Sequence, residues 1–170
     1  MEEKTLLIKK YIKDNKKDLI IILIYAIVTF IVTIFFHEKW RENRLQKDGT
    51  YKPMIEKSED FNWTKSHWTD FVDIANTKFE DLPSNRKYEN FEAAKVTVDL
   101  VYDKILSWDS FTSQEIEEMS KIVHEKRLER NWTQWSFENQ RVDYERLSEE
   151  EKDKDRMQIG LAIQIIKSEI

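Results

Sequence analysis

The sequence LIIILIYAIVTFIVTIFF, from Leu19 to Phe36, decides the plan of this chain. It contains no charged residue, no proline and no glycine, and its polar side chains are limited to Tyr25, Thr29 and Thr33. A helix rises about 1.5 Å per residue, so the segment covers roughly 27 Å, close to the thickness of the hydrocarbon core of a bilayer. Only a helix crosses lipid as a single segment, because unpaired backbone polar groups are costly there. We therefore predict a transmembrane helix over residues 19–36.

Two other interpretations fit a long apolar segment near an N-terminus: a buried core helix and a cleaved signal peptide. No other segment looks apolar enough to surround a helix that is hydrophobic on every face. The apolar region of a signal peptide would be shorter and would end in small residues, whereas this one ends in Phe35, Phe36, His37 and Glu38. A retained single-pass anchor is the interpretation that these features favour.

The composition of the 170 residues indicates an all-α protein. Charged residues make up 36% of the chain and the mean hydropathy is -0.69, while only 2 glycines and 2 prolines are present. So few turn-forming residues disfavour turn-dense β architectures and low-complexity disorder. There is no cysteine, which excludes disulfides, thiolate zinc sites and cysteine nucleophiles.

Charge is distributed unevenly along the chain. Residues 1–18 form a tail with six of the 28 basic residues and four of the 33 acidic ones, so 22 basic and 29 acidic residues, a net charge of -7, follow Phe36. A region of that charge is a poor general nucleic-acid binder, while the tail suits an anionic membrane surface. Basic residues flank the apolar segment on both sides, so the positive-inside rule leaves the orientation open.

The chain after the apolar segment contains two copies of one pattern, which we place at residues 37–106 and 112–170. His37-Glu38-Lys39 recurs as His124-Glu125-Lys126, and each copy continues with an aromatic loop and a long amphipathic helix. The helices are preceded by FEDLPS (79–84) and YERLSE (144–149). Capping boxes at Thr112–Glu115 and Ser148–Glu151 predict the starts of the last two helices. Two such halves are expected to form a small pseudo-symmetric helical domain with long aromatic loops.

This pattern resembles the ryanodine-receptor repeat (Ry) family. The matching positions are His37, Glu38, Trp40 and Arg44 in the first copy, and His124, Glu125, Tyr144, Leu147, Lys152, Asp155 and Arg156 in the second. The first copy has Asn90-Phe91 where the second has Asp155-Arg156. The resemblance implies non-catalytic helical modules on the cytoplasmic side. Bacterial and phage versions are proposed to sense ligands, including nucleotide-derived signals, in antiviral defence.

Aromatic and basic residues near the loops are the candidate ligand-binding residues. Tryptophans stack planar ligands, and arginine binds phosphate in a bidentate manner. The candidates are Trp63, Trp68, Arg130, Trp132, Trp135, Arg141, Tyr144 and Arg156. The alternative is that these rings close the core between helices. No cofactor or metal is expected, because the His-Glu pairs lack the His-Glu-x-x-His spacing of zinc sites.

We therefore expect a membrane-anchored, non-enzymatic sensor that binds lipid, forms a homo-oligomer and recognises a small nucleotide-type ligand. Ligand binding would be coupled to oligomerisation or to membrane perturbation. The competing hypothesis is a membrane scaffold that docks a protein partner through its acidic helical domain. Deletion of residues 1–36 is expected to leave a folded soluble domain.

Overall fold

A computed structural model describes residues 15–107, 109–131 and 142–169. The chain is mostly helical, as the composition predicts. The elements in chain order are α1 (Lys16–Glu42), β1 (Ile55–Lys57), α2 (Phe61–His67), β2 (Phe71–Asp73), a 3-10 turn (Phe79–Asp81), α3 (Ser84–Leu106), α4 (Ser113–Asn131), a second 3-10 turn (Tyr144–Arg146) and α5 (Glu149–Glu169). Most of the tail predicted at 1–18 lies outside the described residues.

Helix α1 contains the whole apolar segment and continues past it to Glu42. By length and composition it can cross a membrane, since its most apolar window has a mean hydropathy of 3.1. Its two ends have different surroundings. Residues 19–24 are exposed on every side, whereas Val28, Val32 and Phe36 are buried in the protein. The helix is therefore a membrane-helix candidate at one end and a core helix at the other.

The core lies where α1, α3, α4 and α5 pack together. Helix α3 contacts the other three, and α5 contacts both α1 and α4. Fully buried residues from α3 and α5 form its centre: Ala94, Val98, Val101, Ile159, Ala162 and Ile166. Val28, Val32 and Phe36 of α1 belong to the same cluster. A deletion that ends at Phe36 therefore removes core residues, contrary to the expectation that it leaves the domain intact.

Residues 50–82, which the sequence predicts as an ordered aromatic loop, contain regular structure. Strands β1 and β2 pair antiparallel, with Ile55 opposite Asp73 and Lys57 opposite Phe71. Between them lies α2, whose N-cap Asp60 accepts a hydrogen bond from the Trp63 amide. The second Asp60 carboxylate oxygen accepts from the Ser84 amide at 2.8 Å, and these two bonds lower the pKa of Asp60 to about 2. The segment is thereby attached to the start of α3.

The predicted helix starts after residue 110 are confirmed by their capping bonds. Thr112 Oγ1 accepts from the Glu115 amide at 3.2 Å, and the Glu115 carboxylate accepts from the Thr112 amide at 2.8 Å. Ser148 Oγ likewise accepts from the Glu151 amide at 3.3 Å. Each bond satisfies an amide that the first helical turn leaves without a partner. The caps position the N-terminal ends of α4 and α5.

Candidate functional site

Two histidines, one on α1 and one on α4, make the same contact. His37 Nε2 lies 2.9 Å from the Thr77 carbonyl oxygen, and His124 Nε2 lies 2.8 Å from that of Val142. A carbonyl only accepts, so Nε2 carries the proton in both rings. Each histidine therefore attaches its helix to the backbone segment that precedes the next 3-10 turn.

The residues around the two histidines also correspond. The His37 ring lies 6.1 Å from the ring of Phe79, and the His124 ring lies 5.9 Å from that of Tyr144. These two aromatic residues begin the two 3-10 turns, and each turn is followed by a buried leucine, Leu82 or Leu147. The repeat-motif residues His37, His124, Tyr144 and Leu147 are thus buried structural residues.

One turn before each histidine, a hydroxyl side chain bonds back to its own helix. Thr33 Oγ1 donates to the Thr29 carbonyl at 2.7 Å, and Ser120 Oγ donates to the Ile116 carbonyl at 2.7 Å. Both side chains are completely buried. Bonding to the i−4 carbonyl satisfies a hydroxyl that has no access to water. The inward faces of α1 and α4 therefore match over more than one helical turn.

The arginines near the two histidines have different bonding partners. On α1, Arg41 Nε donates to the Ala75 carbonyl at 2.9 Å, and its guanidinium pairs with Glu38 at 2.8 Å. On α4, Arg127 Nη2 donates to His124 Nδ1 at 3.0 Å, and its Nη1 lies 3.3 Å from Asp155. Burial raises the pKa of Asp155. The second histidine thus belongs to a buried ionic cluster that the first histidine lacks.

A cleft of about 940 Å³ lies between the C-terminal ends of α1 and α4 and the N-terminal ends of α3 and α5. That volume is within the range of small-molecule sites. Six basic and five acidic residues line it, beside Phe36, His37 and Trp40 of α1. The basic residues are Arg44, Lys52, Arg86, Arg127, Arg130 and Lys154, and the acidic ones are Glu56, Glu89, Glu150, Glu151 and Asp153.

Among the cleft cations that pair with a carboxylate of the described residues, Arg130 has the longest contact. Its Nε lies 3.9 Å from the Glu89 carboxylate, too far for a hydrogen bond, and this buried atom has no hydrogen-bond partner among the described residues. The Arg130 side chain is 20% exposed, and burial lowers its pKa. Arg86, by contrast, pairs with Glu56 at 2.7 Å. An anion bound beside Arg130 would supply the acceptor that its guanidinium lacks.

One wall of the cleft is aromatic. The Trp40 ring stacks on His37 with ring centroids 6.0 Å apart and planes inclined by 23°. The guanidinium of Arg44 lies 5.0 Å from the centre of the Trp40 ring. Across the cleft, the buried Gln158 Oε1 has no donor among the described residues. The cleft therefore combines a flat aromatic wall, an arginine without a hydrogen-bond acceptor at Nε and an amide oxygen without a donor.

Of the five predicted ligand-binding residues that the structure describes, only Arg130 lies in this cleft. Arg130 lines it, together with the repeat-motif residues His37, Trp40 and Arg44. The repeat-motif residues Glu38, Glu125 and Asp155 do not line the cleft. Trp132, Trp135 and Arg141 lie outside the described residues.

The other predicted ligand-binding residues have separate surroundings. Trp63 stacks on His67 at 4.0 Å and donates its indole N–H to the Asp81 carbonyl. Trp68 ends α2 in a left-handed conformation and is 93% exposed. Tyr144 is buried, and its burial with the nearby Glu117 raises its pKa to about 12. The guanidinium of Arg156 pairs with Glu117, Glu149 and Asp153.

The sequence alone does not indicate that Arg86, Gln158 and Trp40 line one cleft. These residues lie on three helices, and only tertiary packing brings them to one cleft. Within residues 15–107, 109–131 and 142–169, no group of three or more His, Asp or Glu side chains is placed to hold a metal ion. Comparison with models of known protein families, with curated proteins and with solved structures gives no significant match.

Proposed function

We propose that this protein is a membrane-attached sensor whose cleft binds a small anionic ligand with a planar group, such as a nucleotide. The observation that carries the proposal is Arg130, a part-buried cation with no hydrogen-bond acceptor for its Nε in a cleft of ligand size. Trp40 offers a face for the planar group, and Gln158 offers an acceptor for an amino or hydroxyl donor. No catalytic step is part of the proposal.

We also propose that the two halves of the protein are Ry-like repeats derived by duplication. Support comes from the paired contacts of His37 and His124, and from the back-bonded hydroxyls of Thr33 and Ser120. Both pairs have the same separation of 87 positions in the sequence. The cleft then lies between the repeats, where a ligand contacts both.

Helix α1 provides a direct connection from the cleft to the membrane. Phe36, His37 and Trp40 line the cleft, and the same helix continues without a break to Lys16. A ligand that draws the two halves together therefore moves α1 as a rigid element, because no flexible linker absorbs the displacement. In this proposal the movement changes how copies of the chain associate, or how α1 sits in the bilayer.

The test is ligand binding by the full chain in mild detergent. Thermal shifts and calorimetry with nucleoside mono- and diphosphates and cyclic dinucleotides are compared with inorganic phosphate. A ligand at 100 times its Kd stabilises the folded state by about 2.7 kcal/mol, which is a readily measured shift. We expect at least one nucleotide to produce it. The absence of a shift with every compound would contradict the sensor proposal.

A matched pair of variants on α4 tests the position of the ligand. Arg130→Ala removes the cleft cation, and a lost charge-assisted hydrogen bond of about 1.5–3 kcal/mol lowers affinity roughly 10- to 100-fold. Lys126→Ala is the control, because Lys126 lies one turn earlier and pairs with Glu129 on the surface. Equal affinity of both variants would exclude the cleft. A stoichiometric protein partner without any ligand effect would instead favour the scaffold hypothesis.

A further inference from the structure

The outward face of α1 is apolar along most of its length. Large side chains between 43% and 59% exposed lie on this face: Ile20, Leu23, Ile24, Ile27, Phe30 and Phe35. Soluble monomers rarely expose a contiguous apolar surface of this kind unless it binds something. We call these six residues the α1 stripe. Lys16 and Lys17, both exposed, lie at its N-terminal end.

The fold itself does not require an apolar stripe. Helix α4 makes the same inward contacts as α1, and most of its outward positions are polar. At a separation of 87 positions, Gln114 corresponds to Ile27, and Glu117 to Phe30. The third stripe residue with a counterpart in α4, Phe35, corresponds to the exposed Ile122, so two of the three compared positions are polar in α4. The apolar character of the α1 stripe therefore serves a purpose other than packing of the domain.

The inward face of α1 carries polar partners that a lone membrane-crossing helix would not have. The Tyr25 hydroxyl donates to Asp99 of α3, and Asp99 also pairs with Lys95 at 2.6 Å. The Tyr25 ring packs against Tyr102, with ring centroids 5.7 Å apart. Tyr25 is the seventh residue of the 19–36 segment. Charged residues of α3 therefore lie beside the middle of the segment predicted to cross the bilayer.

Residues 19–36 cannot cross the bilayer as a complete span and remain packed against α3 at the same time. If α1 crossed while packed on α3, then Lys95 and Asp99 would enter the hydrocarbon, where charged side chains are costly. If α1 left the bundle to cross alone, the residues that cover it would be exposed, Val98 and Ile166 among them. In the packed fold only residues 19–24, which precede Tyr25, are free of this constraint. At about 1.5 Å each they extend roughly 9 Å, less than a third of a hydrocarbon core.

We propose that in this folded state α1 lies in the plane of an anionic membrane surface, with the α1 stripe among the acyl chains, and does not cross the bilayer. The inference rests on the membrane attachment in the proposed function and is independent of the ligand. An in-plane helix buries one apolar face at the headgroup boundary and keeps basic residues near anionic lipids. The tail of residues 1–18, with six lysines against four acidic residues, carries a net charge of +2 that provides this complementarity.

Sidedness decides between an in-plane helix and a crossing helix. The chain contains no cysteine, so Glu3→Cys in the tail and Ser168→Cys in exposed α5 each introduce a single thiol into the full chain. Sealed vesicles are treated with a membrane-impermeant maleimide before and after detergent is added. If α1 lies in the plane of the membrane, both thiols are on the same side of the vesicle. We therefore expect both to react before detergent is added, or both to react only afterwards. Reaction from opposite sides would overturn the proposal.

Vesicle flotation identifies the occupant of the α1 stripe. We expect the full chain to float with vesicles of phosphatidylcholine and phosphatidylglycerol, and Ile24→Asp to lower the apparent affinity at least about tenfold. Ile122→Asp, at an exposed position of α4, is the matched control and should float like the parent chain. A chain that remains unbound as a stable dimer would show that a second copy covers the stripe, and would also overturn the proposal. Neither experiment measures ligand binding. A negative result therefore contradicts the in-plane arrangement of α1, while ligand binding by the cleft is tested separately by thermal shift and calorimetry.

Discussion

Helices α1 and α4 make matching contacts on their inward faces and have different outward faces. Inward, both place a histidine against a backbone carbonyl and a hydroxyl against the preceding turn. Outward, α1 presents Ile27 and Phe30 where α4 presents Gln114 and Glu117. The same structural role is therefore compatible with either kind of surface. The difference shows which residues of the long apolar segment belong to the core and which are exposed on the surface of the domain.

The two helices also differ in length. Helix α4 begins at Ser113, and the corresponding position in α1 is Ala26. Helix α1 begins ten residues earlier, at Lys16, and this extension is exposed apart from Tyr25 and its contacts with α3. Up to Ile24, the part of α1 that has no counterpart in α4 is thus exposed. In our account it is an addition for the membrane, and the remainder of α1 is a core helix whose outward residues Ile27, Phe30 and Phe35 continue the α1 stripe.

The largest expected effect of a point substitution lies at matched core positions. Phe36→Ala should lower the free energy of unfolding by about 3–5 kcal/mol, because it leaves a cavity in the shared core. Val123→Ala, its counterpart on α4, removes less apolar volume and should cost about 1.5–2 kcal/mol. Denaturant unfolding in mild detergent measures both. Phe35→Ala, at an exposed position, is the control, and an equal loss for Phe35→Ala and Phe36→Ala would contradict the core assignment.

The two histidines should have similar effects on stability. His37→Ala and His124→Ala each leave a carbonyl near the helix without its donor, at a cost of about 1–3 kcal/mol. His124→Ala should be the more damaging of the two, since it also removes a partner of the Arg127–Asp155 cluster. Chemical denaturation of the single variants gives the two values. If either substitution were neutral, the two contacts would not be equivalent.

The contribution of His37 to the free energy of unfolding should decrease as the pH is lowered. Burial lowers the pKa of this ring below its ordinary value of 6.5, so the unfolded chain takes up a proton more readily than the folded one. The stability that neutral His37 contributes is therefore present above pH 6.5 and is lost as the pH falls below it. The difference in unfolding free energy between the parent chain and His37→Phe should shrink between pH 7.5 and pH 5. A difference that stays constant would argue against a buried neutral ring.

The smallest effect should come from the paired hydroxyls. Thr33→Val and Ser120→Ala each remove a side-chain donor from a carbonyl that also belongs to the backbone ladder of its helix. No buried polar group is then left without a partner, so each change should cost less than about 1 kcal/mol. Unfolding curves of both variants should nearly overlay. A large loss at only one position would show that the two helices are packed differently.

The sequence predicted the helices well because their local signals were strong. The capping bonds of Thr112 and Ser148, and the helix that follows Pro83, are those that spacing indicated. The two short strands escaped prediction because each has only three residues and neither alternates clearly. The interior role of Val28 and Val32 could not be recognised, since an entirely apolar helix carries no periodic signal for which side faces a partner.

The candidate site was predictable only in part. Arg130 and the His37–Trp40 region stand out in the sequence as a basic residue beside aromatic ones and as part of a repeated motif. Arg86 and Gln158 carry no local signal, because each is an ordinary residue of an amphipathic helix. Arg86 and Gln158 line the same cleft only because of the way in which α3 packs against α5. Whether Trp132, Trp135 and Arg141 contribute stays a prediction.

Two truncations test the division of α1 into a core helix and a membrane extension most directly. A chain lacking residues 1–24 keeps Tyr25, Val28, Val32 and Phe36, whereas a chain lacking residues 1–36 loses all four. We predict that the first unfolds cooperatively in denaturant at close to full-chain stability. It should bind anionic vesicles more weakly than the full chain, because it lacks three of the six α1 stripe residues and the lysines of the tail. We predict that the second does not fold, because the lost core contacts exceed a typical stability of about 5–15 kcal/mol. A folded, cooperative chain without residues 1–36 would contradict this division of α1.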